Sequence, residues 1–112
     1  MGYITRIDTE ILDTLKEVME DDFQVLIDTF LSDTVVRIDS LRAALTETDA
    51  DLLRRSAHSL KGSCSNIGVQ QLAVLCAQME EKGFEEDFTG TEQILADIEQ
   101  EYSLVRQDLQ LL

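Results

Sequence analysis

The chain has no proline and no tryptophan, and only five of its 112 residues are glycine. Without proline, no helix is interrupted by a missing backbone N–H, and few glycines weaken helices from within. No stretch approaches the roughly 18 consecutive apolar residues of a membrane-spanning helix, and no apolar signal-peptide core follows the start. Leu, Ile, Val, Ala, Glu, Asp and Gln dominate, and helix is therefore favoured throughout. We expect a single all-α domain over residues 1–112, located in the cytoplasm.

Positive charge is also scarce. Nine Lys and Arg residues stand against 23 Asp and Glu residues, and the formal net charge is −14. Nucleic-acid backbones and anionic lipid surfaces are bound chiefly through Lys and Arg. The composition therefore argues against nucleic acid and against membrane surfaces as partners.

Side chains that bind metals or act as nucleophiles are few, with one histidine and two cysteines. Metal sites in helical bundles use several inward-facing Glu and His residues, and Cys64 lies about 120° from His58 around the same helix. Cys64 and Cys76 both fall among apolar neighbours at helical spacing, where a thiol is usually buried and inert. We predict no metal site and two buried free thiols.

Apolar residues that recur every three or four positions predict five helices. The first is short and the other four are long enough to bundle; they cover about residues 8–19, 22–46, 48–66, 72–83 and 94–112. The connections around positions 47 and 68 are short, which makes neighbouring helices antiparallel. We therefore predict an antiparallel up-down-up-down four-helix bundle, with the short N-terminal helix covering one end.

Four local signals set the expected helix boundaries. The segment Asp21-Asp22-Phe23-Gln24 has the form of a capping box before the second helix. Gly68 supplies the left-handed stop of the third helix, after about Asn66. Gly83 is expected to end the fourth helix, and the loop through Gly90 leads into the fifth, which we expect to reach Leu112.

The single histidine, His58, lies near the middle of the third helix in the run HSLKGS, residues 58–63. At about 100° per residue, one helix face carries His58 together with Asp51, Arg54, Lys61, Gly62 and Ser65. The opposite face carries the apolar residues Leu53, Leu60, Cys64 and Ile67, which are spaced to bury against other helices. We therefore predict that the imidazole points to water.

The surroundings of His58 suit a group that carries phosphate. Arg54, Arg55 and Lys61 are three of only nine cations and lie within eight residues of one another, and local positive charge favours a bound phosphoryl group. Gly62 costs the helix about 1 kcal/mol relative to Ala where it clears access to the ring. An unprotonated imidazole is a nucleophile at neutral pH, since its ordinary pKa lies near about 6.5.

The run AHSLKGS at residues 57–63, followed by Asn66-Ile67-Gly68 and an apolar repeat that ends at Met79-Glu80, resembles the histidine-containing phosphotransfer (HPt) domain family over about residues 55–83. The resemblance implies a helical bundle whose exposed histidine takes a phosphoryl group from the aspartate of one receiver domain and passes it to another.

The same resemblance implies roles for individual residues. His58 would be phosphorylated, Lys61 would help to neutralise the phosphoryl charge, and Gly62 would leave room for the receiver. Glu80 occupies the position at which many members place a polar side chain close to the histidine. It would either orient the ring through Nδ1 or lie on a solvated flank. Arg54 and Ser65 share the face of His58 and are further candidates to support phosphoryl binding or docking of the receiver.

We accordingly predict a monomeric phosphocarrier of a multistep phosphorelay in two-component signalling, with receiver domains of response regulators and hybrid sensor kinases as partners. No Gly-rich nucleotide loop is present, so we expect neither ATP binding nor kinase activity. We expect no cofactor of its own, because the receiver contributes the acidic pocket and the Mg²⁺. The chain is either a free-standing carrier, favoured by Met1, or the excised end of a hybrid kinase.

Two other readings stay open. A non-phosphorylated helical adaptor would keep the bundle and bind receivers, but it has no need of His58, Lys61 and Gly62 together. A dimerising kinase domain with a phosphoacceptor histidine would need an intermolecular bundle and an adjoining ATPase, whereas this chain has enough helices to close a bundle alone.

Overall fold

The computed structural model describes residues 6–111, which form helices joined by short connections. The elements are α1 (Thr9–Met19), a 3₁₀ turn (Glu20–Asp22), α2 (Phe23–Glu47), α3 (Ala50–Ile67), α4 (Gln70–Phe84) and α5 (Thr91–Gln110). No strand occurs among residues 6–111, and the all-α prediction is confirmed. None of the helices in this range combines the length and the apolarity needed to cross a membrane. The expected end of the last helix at Leu112 lies outside the described residues.

The four long helices surround one core. α3 packs on both α2 and α4, and α5 packs on both α4 and α2, so each long helix has two neighbours. The contact between α3 and α4 is the most extensive. Fully buried side chains from all four helices meet in the centre, among them Leu41, Leu53, Leu60, Leu72, Met79, Ile98 and Val105. Each such side chain contributes about 1.5–3 kcal/mol through burial, and this packing holds α3 rigidly.

Both ends of α3 are capped, and the stop predicted at Gly68 is confirmed. The carboxylate of Asp49 accepts a hydrogen bond from the backbone N–H of Leu52 at 3.0 Å, which satisfies a free donor of the first turn. At the other end Gly68 adopts φ 88° and its N–H donates to the carbonyl of Cys64, the left-handed stop that glycine allows. The carbonyl of Gly68 in turn accepts from the N–H of Asp8 at 2.8 Å. The start of α1 is thereby attached to the turn between α3 and α4.

The predicted capping box before α2 is wrong. Its N-cap residue, Asp21, lies inside the 3₁₀ turn, and the Gln24 side chain donates to Asp28 at 2.9 Å and does not reach back to Asp21. Asp22, which directly precedes α2, has helical backbone angles, φ −80° and ψ −8°, and its side chain makes no capping hydrogen bond. The 3₁₀ turn runs directly into α2, so the chain never takes the extended conformation that an N-cap residue needs. The chain changes direction earlier, at the end of α1, where Glu20 has a positive φ of 49°.

The role predicted for Gly83 is also wrong, because α4 continues through it to Phe84. Gly83 is buried against α3: a Cβ atom there would lie 2.6 Å from the backbone N and 2.9 Å from the Cα of Arg54. This glycine therefore permits close approach of two helices and does not end one. The positive φ after the helix belongs to Glu86, at 55°.

Candidate functional site

His58 is held on the solvent side of α3 by its buried neighbours. Ala57 and Leu60 on the same helix are buried in the core, whereas the His58 side chain is 67% exposed. The prediction that the imidazole points to water is confirmed. α3 therefore presents the imidazole to solvent from a backbone that is packed in the core.

The ring of His58 is bound on one edge by a side chain from the next helix. Its Nδ1 lies 2.6 Å from Oε2 of Glu80 on α4, and no hydrogen bond within residues 6–111 involves Nε2. An ionised carboxylate only accepts hydrogen bonds, so Nδ1 carries the proton in this pair. In the neutral ring the lone pair then lies on Nε2, the exposed nitrogen.

Glu80 binds a second side chain, the ammonium group of a lysine, through its other oxygen. Nζ of Lys61 donates to Oε1 of Glu80 at 2.5 Å. The hydrogen bond from Lys61 lowers the pKa of Glu80 below its ordinary value; partial burial opposes this shift, and the bond from His58 adds to it. Glu80 is therefore ionised at neutral pH. Through its bonds to His58 and Lys61, which lie one turn apart on α3, it also links α4 to α3. Of the two roles left open for this residue, its contacts match the one in which it orients the ring.

Gly62 leaves open space beside the imidazole. It is exposed within α3, and a Cβ atom at this position would meet no atom within 4 Å. No other helix packs over it, so the structure offers no packing reason for glycine here. The absence of a side chain leaves the surface next to His58 accessible.

Arg54 and Ser65 share the exposed face but do not join the cluster around His58. Nη2 of Arg54 donates to Asp51 at 3.0 Å, and Nε of Arg55 donates to the other oxygen of the same carboxylate at 2.8 Å. These two bonds, that from Arg54 first, lower the pKa of Asp51. Ser65 is exposed, and its hydroxyl makes no hydrogen bond within the described part of the chain. Of the predicted site residues, hydrogen bonds therefore join His58, Lys61 and Glu80.

A cavity that the helix pattern did not predict adjoins this cluster. It has a volume of about 340 Å³ and is lined by Arg54, Lys61, Ala77, Glu80, Glu81 and Phe84. The spacing of positions 77, 80, 81 and 84 places them on one face of α4. The spacing shows in the sequence that these α4 residues share a face. It does not show the cavity, which depends on how α4 lies against α3.

The two thiols lie beneath the site in the core. Cys64 and Cys76 are buried and free, as predicted. A hydrogen bond between them, together with burial, raises the pKa of Cys64 far above that of a free thiol, which keeps it protonated and unreactive. Within residues 6–111 no group of three or more His, Cys, Asp or Glu side chains is arranged to hold a metal ion.

A helical bundle with one exposed histidine, bound through Nδ1 and flanked by a lysine and an open glycine, is the arrangement that the sequence resemblance implies. The model of the Hpt domain family matches residues 25–108, and the chain belongs to this family.

Known proteins that are similar to it include a phosphotransfer protein of known structure and a sensor protein. The histidine-containing phosphotransfer protein B (HptB) from Pseudomonas aeruginosa PAO1 has a crystal structure that superposes with a TM-score of 0.94 at 38% sequence identity; the match covers 97% of this chain and 95% of that one. The sensor protein TorS of Escherichia coli (strain K12) is 38% identical over 45 residues. That second match spans 40% of this chain but only 5% of TorS.

Proposed function

We propose that the chain is a phosphocarrier of a multistep phosphorelay, which accepts a phosphoryl group on Nε2 of His58 from a receiver-domain aspartate and passes it to another. The observation that carries this proposal is the exposed imidazole whose Nδ1 is bound to Glu80 at 2.6 Å. Membership of the Hpt domain family and the likeness to HptB support it.

The proposed transfer is a single displacement at phosphorus. The Nε2 lone pair of His58 attacks the aspartyl phosphate, an N–P bond forms, and the P–O bond breaks as the aspartate carboxylate leaves with its electron pair. Positive charge develops on the ring, and the Nδ1–H donates more strongly to Glu80, which is already in place and ionised. Passing the phosphoryl group to a second receiver is the same step in reverse.

The neighbouring residues have supporting roles in this proposal. Lys61 lies one turn from His58, and its ammonium group can exchange part of its contact with Glu80 for the phosphoryl oxygens, whose charge it neutralises. Gly62 leaves room for the receiver, Arg54 adds positive charge in the adjoining cavity, and Ser65 lies at the edge of the docking face. The chain needs no cofactor or kinase activity of its own, since the receiver is expected to bring Mg²⁺.

We also infer that the four long helices alternate in direction within a single monomeric domain over residues 1–112. Contacts between α3 and α4 support this: Arg54 lies against Gly83 near one end, and His58 contacts Glu80 one turn further along α3 and one turn earlier along α4. The connections from α2 to α3 and from α3 to α4 are only two residues long, which suits antiparallel neighbours. Two free thiols suit the reducing cytoplasm.

The proposal is tested by incubating the protein with a panel of phosphorylated receivers. One phosphate per chain should appear, labile in acid and stable in base, as expected of phosphohistidine, and His58→Gln should abolish it. His58 is exposed, so the circular dichroism of the variant should match that of the wild type. Labelling that survives the substitution contradicts the assignment of His58. Receivers that bind the wild type without ever transferring phosphate would support the adaptor in its place.

A further inference from the structure

The cavity between α3 and α4 begins where the cluster around His58 ends. Lys61 and Glu80, which bind each other, form one wall, and Arg54, Ala77, Glu81 and Phe84 form the rest. We call this cavity the Phe84 pocket. Its volume of about 340 Å³ is enough to receive one or two side chains of a partner. It is therefore continuous with the site of the proposed chemistry but separate from the reacting atoms.

Phe84 is an exposed aromatic side chain on a helix end whose backbone is packed against α3. It is 78% exposed, although it occupies the last turn of a helix that is firmly packed. The preceding residue, Gly83, lies directly on the backbone of Arg54, so the end of α4 is held against α3. An exposed aromatic side chain on a packed backbone is typical of protein interaction surfaces, where such rings act as anchors.

Charge around the pocket differs from that of the chain as a whole. The side chains that line the pocket carry two positive and two negative charges, Arg54 and Lys61 against Glu80 and Glu81, whereas the whole chain has a net charge of −14. A partner with an acidic surface is repelled by most of this protein but not by this region. The neutral region and the pocket coincide.

We propose that the Phe84 pocket receives an apolar side chain from the rim of a receiver domain's acidic phosphoacceptor cleft, and that Phe84 is a specificity-determining residue for the choice of receiver. This inference rests on the proposed function, because a receiver that delivers its aspartate to Nε2 of His58 must also cover the neighbouring wall formed by Lys61 and Glu80. The partner's carboxylates face Lys61 and Arg54, while its apolar side chain packs on Phe84 and Ala77. Phe84 contacts no reacting atom and acts on binding alone.

The experiment compares Phe84→Ala with the wild type in transfer from several phosphorylated receivers. The KM of the preferred receiver should rise about tenfold, as for loss of an aromatic anchor, while kcat changes little. Phosphorylation of His58 by phosphoramidate, a small donor that needs no docking surface, should proceed at the wild-type rate. Val36→Ala is the matched control, because Val36 is an exposed apolar residue of α2 outside the pocket. Thermal unfolding should be unchanged in both variants.

Three results would overturn the proposal. An unchanged KM for every receiver would show that the pocket is not part of the docking surface. A slower reaction with phosphoramidate would place Phe84 in the chemistry of His58. A change in sedimentation from dimer to monomer would assign the pocket to a second copy of this chain. Failure of the proposed function has a different signature: the wild type itself would then take phosphate from phosphoramidate but from no receiver.

Discussion

Nδ1 of His58 lies 2.6 Å from Oε2 of Glu80, a contact between the middle of α3 and the next helix. The two residues are 22 positions apart in sequence, so the bond depends on how α3 and α4 pack. It assigns different tasks to the two ring nitrogens, since Nδ1 donates to the carboxylate and Nε2 is left to react.

The first prediction follows from this division of tasks. Glu80→Ala should shift the neutral ring of His58 toward the tautomer protonated on Nε2, which ¹⁵N NMR of the imidazole detects. Loss of a charge-assisted hydrogen bond of about 1.5–3 kcal/mol should slow phosphoryl transfer about tenfold or more. Glu80→Gln retains an acceptor oxygen and should lose less. Glu17→Ala is the control, because Glu17 is an exposed glutamate of α1 outside the site, and an equal effect there would argue against a specific role for Glu80.

The second prediction concerns pH. The pKa of Glu80 is lowered in the folded protein from its ordinary value of 4.5, chiefly by the hydrogen bond from Lys61. Its contribution to the free energy of unfolding is therefore complete above pH 4.5 and is lost as pH falls through the lowered pKa. The contribution of such a surface pair is at most about 1 kcal/mol. Denaturant unfolding of the wild type and Glu80→Gln should differ at about pH 5.5, and the gap should narrow as pH falls below 4.5; a gap that widens in acid would contradict this assignment.

The third prediction separates chemistry from folding at Lys61. Lys61→Ala should slow transfer or shorten the lifetime of the phosphohistidine, because the phosphoryl charge loses its nearest cation. Stability should fall by no more than about 1 kcal/mol, the limit for a partly exposed ion pair such as Lys61–Glu80. Lys82→Ala is the control, since Lys82 on α4 pairs with Asp87 at 3.2 Å. A large loss of helicity with unchanged transfer would show that Lys61 is structural.

Local sequence signals predicted the parts of the fold that local physics determines. Gly68 ends α3 as expected because this kind of cap requires only the residues next to the helix end. The exposed position of His58 followed from the 3.6-residue period, which separates it from buried Leu60 and Cys64.

Features that depend on packing between helices were missed or misread. Gly83 looks like a helix stop in sequence, and only the approach of Arg54 shows why glycine is needed. The distances from Glu80 to His58 and Lys61 likewise come from the register of α3 against α4, although the family resemblance pointed to Glu80. The Phe84 pocket has no local signature, because its two walls come from different helices.

The fourth prediction concerns this close approach of α3 and α4. Gly83→Ala should destabilise the protein by about 1–3 kcal/mol, the range for an overpacked contact, because the added Cβ lies 2.6 Å from a backbone atom of Arg54, which cannot rotate away. The higher helix propensity of alanine, about 1 kcal/mol, offsets only part of this cost. Chemical denaturation measures the change. A stabilised Gly83→Ala would mean that the helices lie further apart than described here.

The last prediction concerns Gly62, the second helical glycine, for which the opposite result is expected. Gly62→Gln places a side chain in open space, since no atom lies within 4 Å of a Cβ there. Higher helix propensity should raise the free energy of unfolding by several tenths of a kcal/mol, but the side chain should obstruct a receiver that approaches His58. Stability and transfer from a receiver should therefore move in opposite directions, while phosphorylation by phosphoramidate is nearly unchanged. Gly62→Ala is the matched control, because it brings the propensity gain with little added bulk and should transfer almost normally. Normal transfer from a receiver by a stabilised Gly62→Gln would refute the proposal that Gly62 leaves space for the receiver. Neither packing nor docking would then explain why this position is glycine.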